Sequence, residues 1–210
     1  MGRINVNPTR MELKKLKTRL ATAKRGHKLL KDKTDEMVRR FSIIIRENKL
    51  LREKVEQAIS SSLSQFAVAR SFMSRKDVGL NFAMPSTSLS LKCSTANVMS
   101  LAVPKLDLQE NRSEDKFPYS FVGVTSEADY SVELLSGALF DLVRLAEVEK
   151  TANMLADEIE KSKRRVNALE HVMIPDLEET IKYITMKLEE NDRSSRTRLM
   201  KVKAMLEERE

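Results

Sequence analysis

The chain has 210 residues, of which 33% are charged and only 5% aromatic, so it has little material for the core of one large globular domain. Glycine and proline number five each, whereas straight-chain residues that helices tolerate are abundant. The composition therefore favours extended helices and predicts a mainly α protein.

The net charge of +7 is unevenly distributed. Residues 10–33 hold ten basic and two acidic residues, residues 193–210 hold six and three, and residues 34–192 hold 21 and 26. Both terminal regions are thus basic and the middle is mildly acidic. This asymmetry indicates either an anionic or polar partner near the termini or a solvated helix face.

The first predicted element is a long helix within residues 1–75. Thr9 and Glu12 have the T-x-x-E spacing of a capping box, and apolar residues then recur at alternating spacings of three and four from Leu13 to Ser62. A helix from about 9 to 75 would be roughly 100 Å long, so it needs a partner along its length. The predicted seam, meaning the stripe that packs against the partner, includes Leu16, Leu20, Leu30, Met37 and Phe41.

Three residues of this helix are unusual for a seam or a helix interior. Gly26 costs about 1 kcal/mol relative to alanine, which calls for a reason such as close approach of another backbone. His27 lies on the seam, where its polar edge is expected to reach water or a residue of the opposite helix. Asn48 is also on the seam, where it either fixes the register or is partly exposed.

Residues 76–126 form a separate middle region, because helical periodicity is lost and Ser, Pro and Gly increase. Residues 88–93 and 98–103 alternate with period two, which predicts a short β-hairpin over about 87–104 with its loop at Thr95–Asn97. Several aromatic residues are expected to pack this region onto the helices or to form a docking patch: Phe82, Phe117, Tyr119, Phe121 and Tyr130.

A second long helix is predicted over 127–210. Its stripe runs in heptad phase to Leu169 and Met173 and then continues one residue late through Leu177, Ile181, Ile184, Leu188, Val202 and Met205. The step from Val166 to Leu177 spans eleven residues, so a left-handed supercoil should relax or reverse there. Pro175 lies inside this step and predicts a kinked but continuous helix.

Two long helices joined by a compact middle region most simply fold back on each other. The predicted fold is thus mainly α: a long antiparallel two-helix coiled coil with a small middle region that contains a short β-hairpin. Both termini would then lie at one tip.

No pattern in the chain indicates catalysis, a cofactor or a metal. Its five glycines cannot form a phosphate-binding loop or a dinucleotide fingerprint. The two histidines, His27 and His171, and the single cysteine, Cys93, do not stand at metal-ligand spacing. The lone cysteine and the lack of an apolar leader or membrane span predict a cytoplasmic protein.

Several segments of the two predicted helices have a distinctive order and spacing: Asn7–Thr9 leading into Leu13–Lys17, then Gly26–Lys33, and later Arg164–Glu170 followed by Ile174–Pro175 and Leu177–Ile181. On these segments, both helices resemble those of the D subunits of the V/A-type rotary ATPases. The resemblance covers both helices, while the middle region matches only in kind.

The resemblance implies a non-catalytic central stalk, or rotor shaft, peripheral to the membrane. Its terminal tip would stand inside a ring of catalytic A and B subunits, and its other end would meet the F and d subunits, the latter called C in archaea. Rotation would couple ATP hydrolysis or synthesis to proton or sodium transport. We hypothesise that the basic tip faces ring carboxylates through Arg10, Lys14, Lys17, Arg196, Arg198 and Lys201.

Two other classes of protein remain as alternatives. A basic coiled coil could bind nucleic acid through phosphates, but here the basic residues share their segment with the seam. A prefoldin-like chaperone or other coiled-coil scaffold also combines helices with β-hairpins, although prefoldin chains are usually much shorter.

Overall fold

A computed structural model describes residues 2, 4–83, 87–112, 119 and 123–207. The chain forms two compact units: unit 1 contains residues 1–36 and 159–210, and unit 2 contains residues 37–158. None of the described helices combines the length and the apolar composition that a membrane span requires. The expected aromatics Phe117 and Phe121 lie outside the described residues.

The prediction of a mainly helical chain with a hairpin between two long helical segments is confirmed. The first segment is α1, followed by a short helix α2, and the second consists of α3, a π-helical turn and α4. In chain order the elements are α1 Arg10–Phe72, α2 Arg75–Asn81, β1 Thr87–Val98, β2 Leu101–Arg112, α3 Ser126–Ala168, the π turn Leu169–Met173 and α4 Ile174–Glu207.

The start of α1 uses half of the predicted capping box. Thr9 Oγ1 accepts a hydrogen bond from the Glu12 backbone N–H at 3.2 Å, which satisfies one free donor of the first turn. The reciprocal bond is replaced, because the Thr9 N–H donates to the Asn7 carbonyl and the Glu12 carboxylate pairs with Lys15 Nζ at 2.8 Å. The helix therefore starts one residue after Thr9.

The predicted stripe of α1 is the face that the fold protects from solvent. Every predicted seam position from Leu13 to Ser62 is buried or half-buried, and the stripe continues through Ala69 and Met73. The three-four spacing thus identified the buried face of a 63-residue helix from sequence alone.

In unit 1, the start of α1 packs against α4 in antiparallel order. Leu16 and Ala23 share a core with Leu177 and Ile184, and further apolar residues pack around them: Leu13, Leu20, Ile174, Ile181 and Leu188. Ion pairs flank this core, with Arg10 opposite Asp192 at 3.1 Å and Lys24 opposite Glu178 at 2.6 Å. The residue numbers fall along α4 as they rise along α1, which defines the direction.

The segment before α1 lies along α4 of the same unit. The Gly2 N–H donates to Asp176 Oδ1 at 3.2 Å, and the Ile4 N–H donates to Thr180 Oγ1 at 3.1 Å. Thr180 is buried and its hydroxyl in turn donates to the Asp176 carbonyl. Gly2 and Ile4 are therefore tied to α4, and we call the described residues before α1 the strap.

In unit 2, the rest of α1 is also antiparallel to its partner, α3. Ser62 Oγ donates to the Ser131 carbonyl at 2.8 Å, and Lys54 Nζ lies 2.8 Å from Asp141. Arg144 reaches Glu47 at 2.9 Å. Buried Ser62 and Ser131 make this contact polar, because the hydroxyl of one serine satisfies the backbone of the other.

The β-hairpin is longer than predicted and turns at a different place. Thr95 and Ala96 pair with Pro104 and Val103 in the ladder, so the loop predicted at Thr95–Asn97 is wrong. The turn lies at Met99 and Ser100, with φ of 53° and 69°. A two-residue turn with positive φ at both positions matches the twist of a hairpin. Its usual Asn-Gly signal is missing here, which is why alternation alone misplaced it.

The segment before Pro175 also differs from the prediction. Met173 was expected on the seam but is 41% exposed, whereas Ile174 is half-buried. The physical reason is the π turn, which places one more residue in the turn than an α-helix would. The predicted phase step is therefore concentrated in Leu169–Met173 rather than spread over eleven residues.

Candidate interaction surfaces

The last part of α4 in unit 1 is the largest exposed stretch of helix. Leu188 is half-buried, and every described residue from 189 to 207 is exposed. The cause is the position of the α1 start: Arg10 is level with Asp192, so no part of α1 lies beside the residues that follow. Val202 and Met205, predicted to continue the seam, are therefore exposed instead.

This exposed end carries an apolar stripe. Leu199, Val202 and Leu206 follow an i, i+3, i+7 spacing and so share one helix face, and Leu206 is 60% exposed. Met200 and Met205 are exposed as well. An isolated helix in water gains nothing from such a stripe, so this surface has the character of a binding site.

The basic residues predicted for the tip all belong to unit 1 and are exposed. On α4, Arg198 and Lys201 lie on one side of the apolar stripe and Arg196 lies on the other, as helical periodicity requires. On α1, Lys14 and Lys17 are exposed in the first turns. Cations thus flank the apolar stripe on both sides.

One of the predicted tip residues already has a partner within the chain. Arg10 Nη2 donates to both carboxylate oxygens of Asp192, at 3.1 and 3.3 Å. Both side chains are more than half exposed, so the pair contributes little to folding. The pair therefore marks the level on α4 at which α1 begins and the seam ends.

The residues predicted to pack in the seam are buried to different degrees. Those with the least exposed side chains are Leu16, Met37, Leu177 and Ile184. The others are half-buried: Leu20, Gly26, Leu30, Phe41, Asn48, Leu169, Pro175, Ile181 and Leu188.

Gly26 does not have the neighbour that the sequence suggested. A Cβ at this position would meet nothing within 4 Å outside its own helix, so close approach of a second backbone within the chain does not explain this glycine. His27, the next residue, does reach across the seam: its Nε2 lies 3.2 Å from Glu170 Oε2 on the π turn. The expectation of a cross-helix partner for His27 is therefore confirmed.

A second surface lies in unit 2, where α1 ends and α2 begins. Phe66, Arg70, Met73, Arg75 and Val78 line a groove of about 320 Å³. On the same two helices, Phe72 is 75% exposed and Leu80 is 77% exposed. The groove therefore combines apolar walls with two guanidinium groups.

Phe66, which lines this groove, also belongs to a cluster of aromatic side chains. The Phe82 ring lies 5.7 Å from Phe66 and 5.2 Å from Tyr119, both between ring centroids. Tyr119 donates its hydroxyl to Asp129 Oδ1 at 2.6 Å. Burial, followed by this hydrogen bond and the carboxylate charge, raises the pKa of Tyr119, so the phenol stays protonated as a donor. For Phe82 and Tyr119 the packing role is thus the one observed, while Tyr130 is exposed.

The hairpin lies against the helices of unit 2 through β2. Val103 is buried, and the Leu106 N–H donates to Glu147 Oε2 of α3 at 3.0 Å. In β1, Leu89 and Leu91 are exposed. The hairpin therefore contacts the helices through β2, while residues 89–95 of β1 are exposed.

The described residues offer little for metal or redox chemistry. Nowhere among them do three or more His, Cys, Asp or Glu side chains form a group that could hold a metal ion. Cys93 is an exposed free thiol in β1. Among the described residues, the exposed end of α4 and the groove at α2 are therefore the candidate binding surfaces.

Sequence reasoning missed the groove at α2 and the exposure of the apolar stripe at the end of α4. The stripe had a usable signal, because the predicted second helix, 127–210, is longer than the predicted first helix, about 9–75. An antiparallel partner that starts at residue 9 must leave the surplus uncovered. The groove had no comparable signal, since it depends on how the chain reverses direction after Phe72.

Comparison with known proteins identifies the family. Residues 12–204 match the family of ATP synthase D subunits. The chain is 52% identical over 206 residues to a V-type ATP synthase D subunit of Thermoanaerobacter sp. (strain X514), covering 98% of this chain and 99% of that protein. It is 54% identical over 207 residues to the protein of that name from Clostridioides difficile (strain 630), covering 98% and 93%.

These matches include both long helical segments and the middle region between them. A third relative, the V-type ATP synthase D subunit of Clostridium novyi (strain NT), is 51% identical over 210 residues, covering 99% of this chain and 97% of that protein. The resemblance seen in the two helices thus extends over the whole chain, which belongs to the family of ATP synthase D subunits.

Proposed function

We propose that this chain is the non-catalytic central stalk, or rotor shaft, of a V/A-type rotary ATPase or ATP synthase. Membership of the D-subunit family supports the assignment. Catalytic A and B subunits would carry out ATP hydrolysis or synthesis. The stalk would couple that chemistry to proton or sodium transport through the membrane rotor.

The antiparallel helix pairs within each unit suit this mechanical role. Each unit joins α1 to a second helix through packed side chains and cross-helix ion pairs. Torque applied to one helix is then passed to the other by close-packed groups that resist displacement. A rotor also has to be asymmetric so that equivalent ring sites are in different states at one moment, and a helix with a single π turn provides asymmetry.

The observation that carries the proposal is the uncovered end of α4. From residue 189 to residue 207 every described residue is exposed, yet the helix bears an apolar stripe of Leu199, Val202 and Leu206. Met200 lies off this stripe and basic residues lie on both sides of it. Exposure on all sides fits a partner that encloses the helix, as a ring of A and B subunits would.

The charge of this end supports a sleeve that offers carboxylates. We assign contacts with the A and B ring to the six basic residues predicted for the tip: Arg10, Lys14, Lys17, Arg196, Arg198 and Lys201. Arg10 would have to share or exchange its bond with Asp192. The remaining five extend from exposed helix faces, where charge steers association and fixes orientation.

The groove at α2 fits the partners of the lower stalk. Its apolar walls can take a protruding side chain, and Arg70 and Arg75 can hold carboxylates beside it. We therefore assign this surface to the F and d subunits, the latter called C in archaea. The part of the complex that contains this chain would be cytoplasmic and peripheral to the membrane. Ions would cross the membrane through other subunits.

Co-expression with A, B and F subunits tests the assignment. An affinity tag on this chain should recover all three, with fewer copies of this chain than of catalytic A–B pairs. A ring that encloses one shaft requires this ratio. Recovery of nucleic acid or of unfolded client proteins in place of these subunits would refute the proposed function.

Charge neutralisation tests the terminal contacts. Replacing the six tip residues by Gln should reduce recovery of A and B about tenfold or more at low salt, because several attractive contacts are lost together. A matched control replaces six exposed basic residues away from the tip by Gln: Lys28, Lys31, Lys161, Lys163, Arg165 and Lys182. Equal recovery with both sets would show that the tip charges do not contact the ring.

A further inference from the structure

The π turn Leu169–Met173 interrupts a helical segment that is otherwise α-helical from Ser126 to Glu207. Within it the Ile174 N–H donates to the Leu169 carbonyl, five residues earlier instead of four. A π turn is in effect one extra residue inserted in an α-helix, and such turns are frequent at functional positions.

The extra residue corrects the phase of the seam within unit 1. Before the turn Ile159, Ser162 and Val166 are buried at the three-four spacing, and Leu169 is half-buried. An α-helix would next place Met173 on the seam. Instead Ile174 takes the seam position, and Leu177, Ile181 and Ile184 follow from it.

The residues that would otherwise be seam residues are turned outward. Val172 is 58% exposed and Met173 is 41% exposed, although both are large and apolar. If the same residues were all α-helical, everything after the turn would rotate by about 100° relative to α1. Leu177 and Ile184 would then leave the core that they share with Leu16 and Ala23.

Contacts on both sides hold the turn in place. His27 reaches Glu170 within the turn, and Lys24 reaches Glu178 just after it. The strap before α1 adds the bond from the Gly2 N–H to Asp176. The flanks are thus tied to α1 and to the strap, while the outward residues of the turn are exposed.

Pro175 limits where the wide turn can lie. Moving the turn one residue toward the C-terminus would require a hydrogen bond from the backbone nitrogen of Pro175 to the Glu170 carbonyl, and proline has no N–H. Moving it toward the N-terminus meets no such obstacle, because every residue from 160 to 173 has a backbone N–H. The extra residue can therefore move in one direction only.

We propose that Leu169–Met173 is a phase hinge: a single extra residue that keeps α3 and α4 in register with α1 and can shift toward the N-terminus but not past Pro175. When α4 rotates relative to α3, the rotation occurs at this turn, where one backbone hydrogen bond is exchanged for another. The seam on either side stays packed. This property goes beyond the stalk function, because it belongs to the helix pair whatever partners bind.

Single-residue deletions in the full chain test the phase correction. Deleting Val172 should turn the π turn into ordinary α-helix and leave Ile174, Leu177 and Ile184 on the seam, so Tm should stay the same or rise. The control deletes Lys182, an exposed residue of α4 outside the turn. It should rotate Ile184 and Leu188 off the seam and lower Tm by about 10 °C or more. Equal losses of Tm in the two variants would overturn the phase correction.

Amide hydrogen exchange of the full chain tests whether the turn Leu169–Met173 is mobile. Amides of residues 170–174 should exchange about tenfold or more faster than those of 159–166, and deletion of Val172 should remove the difference. Equal exchange in the two segments of the unmodified chain would overturn the hinge.

The Pro175→Ala variant tests the limit on movement and needs no deletion. With an N–H at position 175 the wide turn can move toward the C-terminus, so fast exchange should extend into residues 175–178. Exchange confined to 170–174 in this variant would show that Pro175 does not set the limit.

Discussion

The packed part of α4 and its exposed end belong to one helix and carry the same kinds of residue, yet they differ in what lies beside them. Leu177 and Ile184 share a core with Leu16 and Ala23, while Leu199 and Leu206 lie beyond the start of α1 and are exposed. Both pairs stand at helical spacing. Apolar periodicity therefore identifies a face that needs a partner, but it does not say whether the partner belongs to the same chain.

The largest expected difference between the two regions is in core packing. Leu177→Ala should lower the free energy of unfolding of the isolated chain by about 3 kcal/mol, because Leu177 is fully buried and its loss leaves a cavity. Leu206→Ala should change it by less than about 0.5 kcal/mol, since Leu206 is exposed. Urea unfolding of both variants measures this contrast, and similar losses would mean that the end of α4 is covered within the isolated chain.

Two threonines extend the comparison to polar groups, because Thr180 lies in the packed part of α4 and Thr197 lies in its exposed end. Thr180 and Thr197 each donate to the carbonyl four residues earlier, but Thr180 Oγ1 also accepts the Ile4 N–H and is buried. Thr180→Val should lower the free energy of unfolding by about 1 kcal/mol, because a partly buried N–H loses its acceptor. Thr197→Val should be nearly neutral by thermal unfolding. A loss as large for Thr197 would contradict the contrast.

Gly26 offers a gain of stability in the packed region. Gly26→Ala should raise the free energy of unfolding by about 1 kcal/mol, because alanine is the better helix former and its Cβ meets nothing within 4 Å. Chemical denaturation of the isolated chain measures the gain. Gly2→Ala is the control outside any helix and should change stability little. A loss of stability at Gly26 would reveal a close neighbour in solution.

The smallest expected effect is at the boundary between the two regions. Arg10→Gln removes the pair with Asp192 and should lower the free energy of unfolding by less than about 1 kcal/mol, since both side chains are largely exposed. The difference should vanish in high salt. Thermal unfolding at two salt concentrations measures it. A large, salt-independent loss would mean that Arg10 does more than pair with a surface carboxylate.

Much of the fold follows from local patterns in the chain. The three-four spacing from Leu13 to Ser62 predicted the buried face of α1, and the alternation in 88–103 predicted a hairpin. The late phase after Val166 predicted an irregularity before Leu177. Patterns of this kind are readable because each depends on the helix or strand period and on solvent exclusion.

Other features depend on contacts that no local pattern encodes. The turn at Met99 and Ser100 was missed because neither residue is typical of a two-residue hairpin loop. The groove at α2 joins Phe66 of α1 and Met73, the residue after that helix, to Val78 of α2, so it exists only once α1 and α2 have packed together. The reason suggested for Gly26, close approach of another backbone, has no counterpart within the chain, because nothing outside its own helix lies within 4 Å of a Cβ at this position.

The sequence by itself determined the two long helical segments, their apolar faces, the basic character of the terminal regions and the family resemblance. Each depends on the order and spacing of residues along one chain. Only the tertiary structure decided where α1 ends its contact with α4, that Leu169–Met173 is a π turn, and that residues 189–207 are uncovered. These outcomes depend on the register between two helices, which is set by the packing of buried side chains such as Leu16 and Leu177.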